Sequence, residues 1–295
     1  MQKKYIHSLI KDISNIGLGC VTFGREISKH DSWEILDYAV DSGITHLDTA
    51  PSYSNGASES ILGEWLYRSQ PLNNSLIISS KISPPFGKDS IINSVKLSLE
   101  RLKISYVDVL YVHQWHPSVN NLEVQDALTT LVNDNKVKLI GASNFTAEEL
   151  QNAIDIQTEN HFIPFRFMQN NNNYAIRDIY PELSEICKRN DINIVTYSPL
   201  GAGFLSGKYQ DEIKEGTRFS VIPEHIEIYF QQLPYRRLKE LLAISRRTGL
   251  PATHLALSWA LRQKGIDSVL IGARNKKHID QALDSLNYDF PFPQK

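Results

Sequence analysis

Short apolar and β-branched runs recur along the chain at 15–23, 44–48, 76–80, 107–112, 137–142, 165–169, 192–197 and 268–271. Most are apolar at every position rather than at alternate ones, which is how strands covered on both faces read. Between them the period lengthens. Val124, Ala127, Leu128, Leu131 and Val132 fall at i, i+3, i+4, i+7 and i+8, one wide helical stripe suited to packing on a sheet. Ile92, Val95, Leu99 and Leu102 make a similar stripe. Thr146 stands three residues before Glu149, the spacing of a capping box, and so predicts a helix start. Ser58 and Glu59 open a further helix through Ile61, Leu62, Trp65 and Leu66, with the acid in the first turn where the helix dipole favours it.

Eight strands alternate with about as many helices, and no Pro/Gly/Ser-rich linker divides them. The pattern predicts an α/β chain forming a single (β/α)8 TIM barrel, one domain over 1–295. A doubly wound open sheet is the rival. It lacks support, because Gly17, Gly19 and Gly24 do not have the G-x-G-x-x-G spacing after an early strand. Two additions to a minimal barrel are expected. Residues 1–13, with Tyr5, Ile6, Leu9 and Ile10, precede the first barrel strand and suit a small hairpin or turn closing the lower end. The segment 198–233 is too long for an ordinary βα loop. It starts as Pro199-Leu-Gly-Ala-Gly203, turns charged over 210–218 and reads as a short helix over 223–232. A long excursion after the seventh strand belongs over the active rim.

Composition narrows the function classes. With 31 basic and 33 acidic residues, formal charge −2, the chain predicts no broad basic face for nucleic acid. Cys20 and Cys187 sit in apolar or helical settings and read as two buried thiols. No 18-residue apolar stretch predicts a membrane span, and the first residues lack the apolar block of a secretory signal, so a cytoplasmic location is the expectation. No heptad or exposed apolar helix stands out; a monomer is expected, with a larger assembly left open.

The candidate chemistry lies at the strand ends. Asp48, Tyr53, Lys81 and His113 each fall at or just past the end of an apolar run, and in a parallel barrel such positions converge on one rim. Together they are the parts needed to make a phenol donate a proton. An unperturbed phenol has a pKa of about 10, so transfer near neutrality needs help. A lysine ammonium beside Tyr53 favours the phenolate, and Asp48 can pair with Lys81 and keep it charged. His113 can hydrogen-bond a substrate oxygen. Tyr197 offers an aromatic face for a flat ring. Gly272-Ala-Arg274, just ahead of a helix near Lys276, offers backbone donors and a guanidinium to an anion. Phe23, Phe86, Gln114 and Trp115 are candidates for the substrate opening. His46, His116 and His161 have no ligand spacing, so no metal site is expected.

The residues resemble the aldo-keto reductase family over nearly the whole length. The matching pieces run in order: Leu18-Gly-Cys-Val-Thr-Phe-Gly24; Gly43-Ile-Thr-His-Leu-Asp-Thr-Ala-Pro-Ser-Tyr53 with Gly56, Ser58 and Glu59; Ser79-Ser-Lys81; Asp108-Val-Leu-Tyr-Val-His113; Gly141-Ala-Ser-Asn144; Met168-Gln169; Tyr197-Ser-Pro-Leu200; and Gly272-Ala-Arg274. The likeness is to the bacterial branch with a short C-terminus, near the potassium-channel β-subunit-like and general aldehyde reductase groups. It implies NADPH-dependent reduction of a small aldehyde or ketone, with Asp48, Tyr53, Lys81 and His113 as the catalytic set. It also implies that Ser143, Asn144 and Gln169 bind the nicotinamide amide, and that Asp280 and Gln281 lie at the adenine end. Ser198, Leu200, Gly201 and Ser206 are expected on the pyrophosphate. Arg274, with Lys276 or Lys277, is expected on a 2′-phosphate; no acid is evident for gripping a bare ribose, which favours NADPH/NADP+ over NADH. The alternatives are a cofactor-binding regulatory protein with slow residual turnover and a nucleotide-keto-sugar reductase.

Overall fold

The computed structural model describes residues 1–69, 75–209, 213 and 215–288. Eight parallel strands close on themselves in chain order: β3 (Ile16–Gly19), β4 (His46–Asp48), β5 (Ile77–Ile82), β6 (Val107–Val112), β7 (Val137–Ser143), β8 (Phe165–Asn171), β9 (Asn193–Tyr197) and β10 (Ser268–Gly272), with β10 paired to β3. Helices follow the strands in a repeating β–α order, which makes this a (β/α)8 TIM barrel. Each predicted run overlaps one of these strands. The first run is trimmed: the chain leaves the barrel at Cys20, and Gly24, at φ +70, donates its amide to the Ile27 carbonyl in a tight loop. The third run extends to Ile82, so Lys81 lies inside a strand rather than beyond it.

Helices α1 (Lys29–Asp41), α2 (Ala57–Arg68), α3 (Lys88–Leu102), α4 (Leu122–Asn133), α5 (Ala147–Glu159) and α6 (Pro181–Arg189) cover the outer face. Most of each predicted stripe is buried, Val95, Leu99 and Leu102 in α3 and Val124, Ala127, Leu128 and Leu131 in α4, whereas Ile92 and Val132 are half-buried and Ile91 takes the buried place at the start of α3. Thr146 and Glu149 form the reciprocal capping box at the start of α5. Glu59 behaves differently from a dipole-facing acid. It is completely buried, accepting from Ser80 Oγ at 2.6 Å and from Arg101 Nε at 2.6 Å. Those bonds tie the first turn of α2 to β5 and α3, and they anchor the turn that precedes α2.

The barrel floor is a hairpin of β1 (Lys3–Ile6) and β2 (Lys11–Ser14). Ile6, Leu9 and Ile13 fill the interior against Ile77, Val109, Tyr111, Phe167, Val195 and Leu270. Tyr5 and Ile10 point outward instead, because strand alternation turns Tyr5 over and Ile10 sits in the left-handed bend between the strands. Lys4 Nζ reaches Asp267 Oδ1 at 2.7 Å, and Lys11 Nζ reaches the buried Asp108 Oδ1 at 2.6 Å. The floor is thereby fastened to the strand starts, leaving the opposite rim for chemistry.

Between β9 and α9 (Gln232–Thr248) the chain makes a turn at Gly201–Ser206 and two short helices, α7 (Arg218–Val221) and α8 (Glu224–Tyr229). The segment has its own aromatic core, Phe204, Tyr209, Phe219 and Tyr229, packed with Leu238 and Leu241 of α9. Within the charged stretch 210–218, positions 210–212 and 214 lie outside the described residues. Helices α10 (Ala252–Leu261) and α11 (Lys276–Asp284) complete the ring. No helix among the described residues is long and apolar enough to cross a membrane. Both cysteines are buried free thiols.

Candidate active site

Because all eight strands run the same way, their carboxyl ends share one rim. Asp48 closes β4, Lys81 is the penultimate residue of β5 and His113 follows β6. Tyr53 is carried by a tight turn, Tyr53–Gly56, in which Ser54 and Asn55 both take left-handed backbone. The Tyr53 amide donates to the Ala50 carbonyl at 3.1 Å, so the phenol is held by a turn on either side.

Lys81 is 1% exposed, and its ammonium meets three acceptors: Asp48 Oδ1 at 2.5 Å, the Thr49 carbonyl at 3.0 Å and the Tyr53 hydroxyl oxygen at 3.2 Å. An ammonium has three N–H groups, so all are used. Tyr53 therefore accepts from Lys81, and its own hydrogen is left to donate elsewhere. The second carboxylate oxygen, Asp48 Oδ2, accepts from Ser79 Oγ at 2.8 Å and from Gln169 Nε2 at 3.0 Å. The Tyr53 and His113 rings meet edge to face, centroids 5.9 Å apart.

Burial pushes the Asp48 carboxyl up, but the Lys81 ammonium and the donated hydrogen bonds outweigh it and hold it below its ordinary value. Burial likewise pushes Lys81 down, and Asp48 with Tyr53 more than restores it, so the ammonium persists. Tyr53 departs from expectation. Burial and the Asp48 charge raise the phenol above its usual value despite the adjacent ammonium, so it is fully protonated at neutral pH. His113 is pushed down to about 4 by burial and by Lys81, and is a neutral imidazole at neutral pH. Its Nδ1 lies 3.3 Å from Ser83 Oγ.

His46, on β4 below Asp48, is completely buried and also pushed down to about 4, burial being the largest cause. Unfolding would restore an ordinary histidine, which binds a proton below about pH 6.5. The unfolded state thus holds more protons between about 6.5 and 4, and stability falls as pH falls through that window. The expected loss from His46 alone is about 3 kcal/mol. Urea midpoints measured from pH 7.5 to 4.5 check it; a flat profile would remove this account of the buried ring.

A cleft of about 570 Å³ opens beside these groups. It runs from Tyr53, Asp48 and His113 past Ser143, Asn144, Gln169 and Tyr197 to Ser198, Leu200 and Ser206, and on to Gly272, Arg274 and Gln281. Asn144 ties three strand ends together: its Nδ2 donates to the His113 carbonyl at 2.9 Å and to Ser143 Oγ at 3.2 Å, and its Oδ1 accepts from Tyr197 at 2.6 Å. His278 is pushed down by burial first and then by Arg274 and Lys208, so three basic groups gather at the far end of the cleft. The aldo/keto reductase family model matches residues 15–295.

The chain belongs to the aldo/keto reductase family. With membership come NADP-dependent oxidoreductase activity and NADP(H) binding as the family's general properties. The cleft suits such a group. It has cationic and amide-bearing walls at one end, an aromatic face at Tyr197 in the middle and a protonated phenol at the other.

Not every expected residue of this reductase reaches the cleft. Gly201 is a turn residue at φ +58, packed against the Tyr229 ring. Lys276 Nζ lies 3.3 Å from Glu34 of α1, and Asp280 accepts from Tyr38 of the same helix. Lys277 is exposed and does not line the cleft. The reason is helical phase: His278 and Gln281, one turn apart on α11, face the cleft, while Ile279 and Ala282 face the core. Phe23 is corrected outright. It is 0% exposed within the core beneath the loop after β3, with no surface for a ligand. Phe86, Gln114 and Trp115 lie outside the cleft lining; Phe86 stands edge-on to His116, and Trp115 is partly packed on the core.

Several cleft residues escaped the sequence reading: Arg25, Glu26, Lys208, Arg218, His225 and His278. His278 was accessible, lying four residues after Arg274 at a helix start. The Glu26–Arg218 ion pair had no signal, since it joins the loop after β3 to α7 from the far end of the chain. Among the described residues no group of three or more His, Cys, Asp or Glu side chains is arranged to hold a metal ion.

Proposed function

We propose that this reductase turns aldehydes or ketones into alcohols, using NADPH and taking the proton from Tyr53. The observation that carries the reading is the saturated Lys81 ammonium: with its three hydrogens on Asp48, Thr49 and Tyr53, the phenol hydrogen is the one left to donate. NADPH supplies the hydride when bound. The remaining work falls to the side chains. Asp48 keeps Lys81 charged in a buried site, and Lys81 steadies the phenolate that forms as Tyr53 gives up its proton. Neutral His113, with Nδ1 turned to Ser83, presents Nε2–H to the substrate oxygen, where negative charge builds. Tyr197 backs the nicotinamide, and Ser143, Asn144 and Gln169 surround its amide. Ser198, Leu200 and Ser206 serve the pyrophosphate. Arg274, with Lys208 and His278, meets the 2′-phosphate.

Arg274→Ala is expected to raise the Kd for NADPH by about 10- to 100-fold, the worth of a charge-assisted phosphate contact, and to change NADH by less than about threefold. Cofactor fluorescence titration with both nicotinamides measures this, and oxidation against a panel of carbonyl compounds in the same cuvette tests turnover. Equal losses for the two cofactors would overturn the phosphate assignment. Oxidation of neither by any carbonyl would overturn the reductase reading in favour of a binding role.

A further inference from the structure

We propose that His46 is a positioning residue for this reaction, acting on Asp48 through the hydroxyl of Ser79. The inference rests on the proposed roles of Asp48, Lys81 and Tyr53 and adds a group that lies below them in the barrel. Asp48 is ionised, so both of its oxygens can only accept. Ser79 Oγ, 2.8 Å from Asp48 Oδ2, must therefore donate its one hydrogen there. That leaves Ser79 to accept from its other neighbour, His46 Nε2, at 3.1 Å. The direction of each bond follows from the one above it: His46 Nε2–H to Ser79 Oγ, and Ser79 O–H to Asp48.

The other ring nitrogen agrees with this order. His46 Nδ1 is buried and has no hydrogen-bond partner among the described residues, as a proton-free nitrogen tolerates better than an N–H would. Gly17 of β3 makes room for the ring: a Cβ there would stand 3.1 Å from His46 Nδ1 and 2.7 Å from Leu270 Cδ2. The Ser268 hydroxyl of β10 borders the same spot. The charged groups acting on the imidazole are Asp48 of its own strand and Lys81 of β5. A neutral ring is what this setting favours, and only a neutral ring has a defined donor side and bare side.

The consequence reaches the rim. A serine hydroxyl alone can rotate; held from behind by Nε2–H, it keeps its hydrogen on Asp48 Oδ2. With Oδ2 committed to Ser79 and Gln169, the carboxylate plane is fixed and Oδ1 faces Lys81. Lys81 in turn sets the Tyr53 oxygen. The device fixes orientation, and His46 touches neither substrate nor cofactor.

Two independent readouts test it on the full chain with NADP+ bound. Nitrogen-edited NMR of the imidazole rings is expected to show His46 as the Nε2–H tautomer, without titration between about pH 5.5 and 8. An Nδ1–H tautomer, or protonation near neutrality, overturns the proposal whatever the activity. In steady-state kinetics, His46→Leu and Ser79→Ala are each expected to lower kcat about tenfold, as small misplacements of reacting groups do, with KM for NADPH within about twofold. The double variant is expected to be no worse than the poorer single, because both act along one chain. His46→Gln, which can place an amide N–H near the Nε2 position, is expected to regain most of the rate. Additive losses, or Leu serving as well as Gln, would show that the ring merely fills space. Failure of the underlying reading has a different signature: Tyr53→Phe would turn over normally while the tautomer stayed as stated.

Discussion

Tyr53→Phe is expected to lower kcat for carbonyl reduction by about 100- to 10,000-fold, the range a positioned acid or base contributes, with the Kd for NADPH within about twofold. The substitution removes one oxygen and little else. The ring keeps its edge-to-face contact with His113 and its place under the Lys81 ammonium, whose nitrogen lies 4.8 Å from the centroid. What is lost is the one hydrogen that Lys81's arrangement leaves pointing away from the buried cluster. Lys81 also loses one of its three acceptors, so a modest fall in stability, about 1–3 kcal/mol, should accompany the loss of rate. Single-turnover mixing of a preformed NADPH complex with an aldehyde separates the two effects, because it reads the chemical step without release. A variant that reacts as fast as the parent would remove the phenol as proton source.

The raised pKa of Tyr53 sharpens this argument. Lys81 alone would draw the phenol towards ionisation, but burial and the Asp48 charge oppose it and prevail. The group that must donate in reduction is thus held in its donating form throughout the neutral range. Ammonium and carboxylate act as a pair: one stabilises the anion that forms, while the other prevents its forming too early.

How much of this was legible beforehand depends on the range of each interaction. The barrel was written in local periodicity, since strands covered on both faces are apolar throughout and their helices carry one stripe. Asp48, Lys81 and His113 were legible because a parallel barrel turns strand ends into neighbours without further information. Tyr53 lies five residues past the end of β4, between a turn closed on the Ala50 carbonyl and the left-handed pair Ser54-Asn55, and residue types alone do not announce either. Phe23 was misplaced because the first run ends as a strand at Gly19 and then dives under the loop. Lys276, Lys277 and Asp280 stand off the cleft lining because a helix face is settled by what packs beneath it, here Ile279 and Ala282. The Glu26–Arg218 pair, and the Thr49 carbonyl that takes the third hydrogen of Lys81, depend on groups distant in sequence from their partners and had no local trace.

Asp48 and Lys81 form the pair with the largest predicted consequence for stability. Asp48→Leu and Lys81→Met are each expected to destabilise the protein by about 3–5 kcal/mol, because either one strands the other charge in the barrel. The Asp48→Leu variant should recover some stability as pH rises. Without its partner, the buried ammonium has its pKa pushed below the unfolded value, so the unfolded state binds more protons across that window and stability increases with pH. Joined in one chain, the two substitutions should behave differently. Leu and Met bury without desolvating a charge, although Ser79, Gln169 and the Thr49 carbonyl each lose a partner, so the double variant is expected to be more stable in urea than either single, yet to have lost reduction by more than about 100-fold. That outcome would mean that the ion pair is retained for the proton it controls at Tyr53 and contributes little to holding the barrel closed. A double variant as unstable as either single would reverse the conclusion, making the pair a structural joint on which the chemistry was later placed.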